Sequence, residues 1–212
     1  MIMTIIRSKE MAGVLATVAL AFALWYGSFV FEAGNFWLKI SLSASLLAGI
    51  ALLISWRAFV SHLRPRLRHV LTGILAAVCL YGIFWLGNLF LTTLFVSAKS
   101  SIDSVYASQG AIPSWGIAML LLCVTSPAEE IFWRGFVQRV LMQQLSPVWG
   151  FAAASLCYAG VHICTLNIPL ILAALTAGIF WGLLYVWQKS LIPVIISHAL
   201  WSVTVFLLLP FH

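Results

Sequence analysis

The sequence predicts an all-α membrane protein, a polytopic transmembrane helical bundle of about seven spans. Of its 212 residues, 63% are hydrophobic and only 8% are charged, whereas a soluble domain carries about 25% charged residues. The apolar residues form runs of about 20, the length that crosses a bilayer as a helix. These runs lack the alternating pattern of an outer-membrane barrel, so helices must satisfy the backbone in lipid. The composition excludes a soluble enzyme, a secreted disulfide scaffold and a disordered tail.

The predicted spans follow one another without a repeat or a linker, so we expect 1–212 to form one integral membrane domain. They lie near 11–31, 37–60, 70–96, 114–141, 147–166, 168–187 and 190–209. The first span resembles a signal peptide. It is too long, however, and it ends at Phe31-Glu32 without a small-residue cleavage site, so we interpret it as a retained helix. The polar stretch 97–113, with Asp103 and Gln109, is expected to be an outer loop.

The basic residues predict that the N-terminus is cytoplasmic, because cytoplasmic loops carry an excess of Lys and Arg. We expect a bacterial-type plasma (inner) membrane, with the lipid bilayer as a partner. The net charge of +6 is assigned to these loops, so no nucleic-acid partner is predicted. The basic loop 64–68 is interpreted as a topology signal, with anionic lipid binding as the alternative. The inside set is Arg7, Lys9, Arg57, Arg64, Arg66, Arg68, Arg139 and Lys189, the outside set is Lys39 and Lys99, and Arg134 lies within a span.

We interpret the cysteines and most of the tryptophans as structural residues and not as parts of a functional site. The four cysteines lie in apolar stretches without a CxxC pair, so we expect small buried hydrophobic residues, no disulfide and no cysteine zinc site. The runs Phe84-Trp85 and Phe180-Trp181 are interpreted as packing or lipid contacts. The cysteines are Cys79, Cys123, Cys157 and Cys164. Six tryptophans near span ends are expected in an interfacial belt: Trp25, Trp37, Trp56, Trp115, Trp149 and Trp187.

Two adjacent acids, Glu129 and Glu130, lie near the middle of the fourth predicted span, and Arg134 follows them. The other acids, Glu10, Glu32 and Asp103, are expected at or beyond span ends. A charge in mid-membrane costs roughly 2.5–3.5 kcal/mol on the insertion scale. An intramembrane cluster of this kind indicates a functional site; the alternative is a buried structural ion network.

The spacing around these acids predicts their directions. Glu130 and Arg134 are separated by four residues, so they share a helix face and can form an ion pair. Glu129 is turned away by about 100° and can present its carboxylate elsewhere. The sequence Ser126-Pro127-Ala128-Glu129 matches a capping box. It predicts that the span is broken near residue 126, and that the dipole of a new helix favours ionised Glu129.

Two histidines complete the set of candidate residues, His162 in the fifth predicted span and His198 in the seventh. A carboxylate and two imidazoles from three helices can converge in a bundle core. There the carboxylate can act as a general base, and an imidazole can share its proton or stabilise an oxyanion. The alternatives are hydrogen-bonded core histidines, or a zinc site formed by Glu129, His162 and His198.

Three motifs together are similar to one family. Glu129-Glu130-Ile131-Phe132-Trp133-Arg134 is EExxxR, Tyr158-Ala159-Gly160-Val161-His162 resembles FxxxH, and His198-Ala199-Leu200-Trp201-Ser202 resembles HxxxN. Over about residues 114–206, the chain resembles the CPBP family (CAAX-processing and bacteriocin-processing, or Abi) of glutamic-type intramembrane endopeptidases, which is related to the Ras-converting CAAX proteases.

The resemblance implies a glutamate-dependent peptidase without a metal or other cofactor. Glu129 would activate water with the assistance of His162, and His198 with the residue four positions later would stabilise the oxyanion. Glu130 and Arg134 would hold the site in shape. The chain departs from the family pattern at Ser202, where Asn is usual, and at Tyr158, where Phe is usual.

We therefore expect hydrolysis of a membrane-embedded or lipidated protein or peptide. A CAAX-like prenylated tail, a bacteriocin leader and the C-terminal sorting signal of a surface protein remain alternative substrates. Two other functions also stay open: a non-catalytic immunity or scaffold protein of the same fold, and a small proton-coupled transporter.

Overall fold

A computed structural model describes the backbone of residues 2–62, 65–95, 97–107 and 112–211, and the side chains of 8–59, 65–95, 97–107 and 112–211. The chain is 88% helical, with no strand in the described ranges, which confirms the predicted all-α bundle. The helices are α1 (Ile2–Val30), α2 (Phe36–His62), α3 (Leu67–Leu94), α4 (Ala98–Tyr106), α5 (Ser114–Gln144), α6 (Pro147–Gly160), α7 (Ile168–Gln188) and α8 (Ile192–Leu208).

Within the described residues, six helices are long and apolar enough to cross a membrane, so the chain is a multi-pass membrane protein. They are α1, α2, α3, α5, α6 with the short 3₁₀ turn after it, and α7, and they match the first six predicted spans. The seventh predicted span is α8, which is apolar but shorter than the others.

Helix α5 lies at the centre of the bundle. It contacts α1, α2, α6, α7 and α8, while α3 packs mainly against α8, and the short helix α4 lies across α3 and α7. This central position explains the charge distribution, because polar side chains within α5 are surrounded by protein rather than by lipid.

Contacts between helix ends define two ends of the bundle. At one end, which we call the basic end, Arg139 of α5 pairs with Glu10 of α1 at 2.8 Å. At the opposite end, Lys39 at the start of α2 donates to backbone carbonyls at the end of α1. There the Asn167 amide, just before α7, donates to the Ser101 carbonyl of α4 at 2.7 Å. The helices therefore alternate in direction along the chain.

Helix α5 is continuous at residue 126, so the predicted break is wrong. Ser126 has helical backbone angles (φ −63°, ψ −44°), and its N–H bonds five residues back to the Leu121 carbonyl, in a π turn over Leu121–Thr125. Pro127 has no N–H and would clash with a regular preceding turn; the wider π turn accommodates its ring. Without a helix start, no terminal dipole acts on Glu129, contrary to the sequence prediction.

The structure also corrects the ends of the predicted spans. Part of the predicted outer loop is the helix α4, while Arg64 and residues 108–111, including Gln109, lie outside the described residues. Glu10 lies at the start of the first span, as predicted, but Arg139 lies within α5 and not in a loop. Both are largely buried, and each also bonds Ser55 at a kink in α2. Their mutual pairing makes burial of the two charges tolerable.

The tryptophan and cysteine predictions are partly wrong. Trp25 and Trp37 are buried inside the bundle, whereas Trp56, Trp115, Trp149 and Trp187 are exposed, as a belt requires. The four cysteines carry free thiols, but they are not all buried, since Cys79 and Cys123 lie on the outer surface of their helices. Small apolar side chains are tolerated in lipid as well as in a core, so the pattern alone does not separate the two.

Candidate active site

A cavity of about 300 Å³ lies between α1, α2, α4, α5, α6, α7 and α8. Five of the seven candidate residues predicted from the sequence line it, with side chains that come from α5, from α6 and the turn after it, and from α8. They are Glu129, Tyr158, His162, His198 and Ser202. The other two, Glu130 and Arg134, are buried behind this surface.

The Glu129 carboxylate is 8% exposed and faces the cavity. Its Oε2 accepts a hydrogen bond from the Tyr158 hydroxyl at 3.1 Å. A carboxylate has several acceptor positions, so one such bond orients Glu129 and leaves lone pairs that can accept a proton from water.

Glu130 turns away from the cavity and organises a buried network. Its Oε1 accepts from Arg134 at 2.8 Å and lies 2.6 Å from Nδ1 of His198. An ionised carboxylate only accepts, so Nδ1 of His198 is the donor, and Nε2 is the ring nitrogen left to act toward a substrate. The spacing of Glu130 and Arg134 predicts this pair, but not its link to α8.

Trp181 of α7 fixes the other side of this network. Its ring stacks on the His198 imidazole, with 3.9 Å between centroids and 19° between planes. The Trp181 indole N–H donates to Ser197 at 3.2 Å. Arg134 lies over the Tyr158 ring at 4.5 Å and over the Trp181 ring at 5.4 Å, where cation–π attraction adds to its ion pair. His198 is therefore held by both a carboxylate and an aromatic face.

His162 is held by groups other than Glu129. Trp25 of α1 donates to its Nε2 at 3.3 Å, and its Nδ1 lies 3.0 Å from the Tyr158 carbonyl. The indole can only donate and the carbonyl can only accept, so these contacts define a neutral ring protonated at Nδ1. Among the described residues, no hydrogen bond joins His162 to Glu129. Tyr158 connects them, through its hydroxyl on one side and its carbonyl on the other.

Sequence reasoning missed the tryptophans and hydroxyls of this site. Trp25, Trp37 and Trp181 line the cavity, although the sequence predicts membrane-interface or packing positions for them. Thr125 also lines it and exchanges a hydrogen bond with Ser41 of α2 at 2.8 Å. Thr125 lies four residues before Glu129 and so on the same helix face, which is a signal that the sequence does contain.

The zinc alternative can be compared with the positions of its candidate ligands. Among the described residues, no three His, Cys, Asp or Glu side chains are grouped to hold an ion. Both ring nitrogens of His162 are already engaged by protein groups, so the alternative zinc set of Glu129, His162 and His198 would require their replacement.

The fold and the site together define a class: polytopic helical membrane proteins with acidic and histidine side chains grouped inside the bundle. Residues 111–204 match the family model described as Type II CAAX prenyl endopeptidase Rce1-like. The match spans most of α5–α8, which is less than half of the chain, and it agrees with the family resemblance of the three motifs: over these residues the chain is similar to a protease family embedded in membranes. Such a family implies a membrane setting and a protein or peptide substrate. No curated protein and no solved structure matches the chain.

Proposed function

We propose that the chain is an intramembrane endopeptidase in which Glu129 activates the attacking water. The observation that carries the proposal is the Glu129 carboxylate, which faces the cavity beside His198 and is oriented by Tyr158. The family match at 111–204 supports proteolysis in general, and the site chemistry supports this mechanism.

In the proposed reaction, Glu129 takes a proton from water as the oxygen attacks the carbonyl carbon of the peptide bond. The resulting tetrahedral intermediate collapses, the C–N bond breaks, and Glu129 returns the proton to the leaving nitrogen. The Tyr158 hydroxyl keeps the carboxylate in one orientation throughout. A positioned general base of this kind contributes about 10²–10⁴-fold to a rate.

His198 and Ser202 are proposed to stabilise the oxyanion. They are separated by four residues in α8 and both line the cavity, so they share one face. His198 donates from Nε2 when both ring nitrogens carry protons, while its Nδ1 stays bonded to the Glu130 carboxylate. Glu130 and Arg134 therefore act as positioning residues. Ser202 offers a shorter donor than the usual Asn.

For His162 we propose a positioning role rather than direct proton transfer. Its two hydrogen bonds join α1 to α6 and fix the Tyr158 backbone, and Tyr158 in turn orients Glu129. Because Trp25 and Trp37 come from helices before the family match, we also propose that the whole chain 1–212 acts as one domain.

The test is cleavage of membrane-anchored reporter peptides by purified protein in liposomes. Glu129→Gln keeps the size of the side chain but removes the base, so cleavage should be lost while the fold is retained. Glu32→Gln, at an exposed acid outside the cavity, is the matched control and should retain full activity. Undiminished cleavage by the Glu129→Gln protein would show that another group activates the water.

A further inference from the structure

The side of the membrane to which the cavity opens can be inferred from the bundle. Its lining residues lie where α1 ends, α2 begins, α6 ends, α7 begins and α8 ends, and α4 contributes Ser104 and Val105. Trp25 and Phe29 are in the last two turns of α1, and Phe36 and Trp37 are the first residues of α2. The cavity thus opens at the end of the bundle opposite to the basic end.

The two ends differ strongly in basic residues. Of the ten Lys and Arg residues whose backbone the structure describes, seven belong to the basic end, two to the cavity end and one, Arg134, to the interior. Of the two at the cavity end, Lys39 is bound to carbonyls at the end of α1. The positive-inside rule assigns the Lys- and Arg-rich loops to the cytoplasm. The charge distribution therefore puts the basic end in the cytoplasm and the cavity on the other side.

The cavity lining carries information about the substrate. Among the described residues that form it, no Lys or Arg is present, and Glu129 is the acid. A CAAX protein ends in a free carboxylate close to its prenylated cysteine, and Arg or Lys is the usual partner of such a group. This lining instead suits an uncharged segment in which the peptide chain continues on both sides of the cleaved bond.

A second cavity of about 230 Å³ extends the first toward α3. No charged side chain lines it in the described ranges. The two cavities share five lining residues and are therefore contiguous: Val105, Leu170, Ala173, Trp201 and Phe206. A continuous apolar extension of this kind can hold the apolar side chains of a membrane-spanning segment next to the bond that is cut.

We propose that the catalytic cavity opens on the extracytoplasmic side of the membrane. Its substrate is then an exported protein or peptide, cut in an uncharged segment at the outer end of its membrane-spanning helix. This inference rests on the proposed function for its substrate class, but its sidedness does not depend on catalysis.

The first experiment tests sidedness alone. The four native cysteines are replaced by alanine, and single cysteines are introduced by Ser100→Cys in α4 or by Pro65→Cys in the basic loop, both exposed positions. In intact bacterial cells, an impermeant maleimide should label residue 100 at least ten times more than residue 65. Labelling of residue 65 in intact cells, with residue 100 reactive only after permeabilisation, overturns the inference.

A second measurement uses the native cysteines, in case the alanine protein does not fold. Alkaline phosphatase fused after residue 212 should be active and a green fluorescent protein fused there should be dark. Fusions after Lys189, at the basic end, should give the reverse. The opposite pair of results overturns the proposed sidedness.

The substrate class is tested with two single-span reporters that carry the same uncharged segment at the outer or the inner end. Cleavage of the outer reporter, abolished by Glu129→Gln, supports the inference, whereas cleavage of the inner reporter alone overturns it. Cleavage of neither contradicts the proposed function, and the labelling then still decides the side.

Discussion

The buried pair of Glu130 and Arg134 should be strongly coupled in stability. Glu130 is 0% and Arg134 2% exposed, and their side chains meet at 2.8 Å. Replacing Arg134 by Met leaves a buried carboxylate with His198 as its remaining partner, and replacing Glu130 by Met leaves a buried guanidinium. Removing one partner of a buried pair costs about 3–5 kcal/mol, a large part of the roughly 5–15 kcal/mol that stabilises a typical domain.

Removing both charges should cost far less than the sum of the two single changes, because neither partner is then left unpaired. The free energies of unfolding of the parent, both single variants and the double variant can be measured in mixed detergent micelles by tryptophan fluorescence, since the chain has ten tryptophans. We expect a coupling energy of at least about 2 kcal/mol, within the range for residues in direct contact. Additivity within about 0.5 kcal/mol would refute the reasoning and mean that the pair does not act as a unit.

Three further outcomes follow from individual contacts. Tyr158→Phe removes the donor to Glu129, a bond to a charged group worth about 1.5–3 kcal/mol, so kcat should fall roughly 10- to 100-fold with little change in KM in reporter kinetics. Ser202→Asn supplies a longer donor in the cavity and should raise kcat in the same assay; a lower kcat would argue against an oxyanion role at this position. Gly150→Ala would place a methyl group 2.2 Å from the backbone of α5 and should lower the melting temperature. Gly49→Ala should not, because no atom beyond the adjacent backbone of α2 lies within 4 Å of the added methyl group.

The sequence predicts most of the bundle, because spans of a membrane protein are set by length and apolarity. It also identifies the cluster of Glu129, Glu130 and Arg134, since charged residues in a mid-membrane run have a high cost. The structure groups these residues with His162 and His198 across 33 to 69 positions of sequence, from 129 to 162 and to 198. Motif spacing alone gives no distance between them.

The predictions that the structure contradicts have a common physical origin. A pattern in a single sequence does not specify which neighbours surround a residue. Trp25 near a span end is equally compatible with the membrane interface and with a contact to His162. Pro127 after Ser126 matches a helix start, but a π turn satisfies the same residues within a continuous helix. Arg139 has the sequence context of a loop cation because its partner, Glu10, lies 129 positions away.

The two π turns of α5 link the number of residues in this helix to the directions in which its two acidic side chains point. Each turn fits one more residue than a regular turn, and together they flank the two acids, over Leu121–Thr125 and Ile131–Gln138. Loss of one residue from either stretch would let the backbone relax to regular geometry and rotate the remainder of the helix by about 100°. Natural variation in chain length should therefore be confined to the connections between helices, while the count of residues from 121 to 138 stays constant among proteins that share this centre.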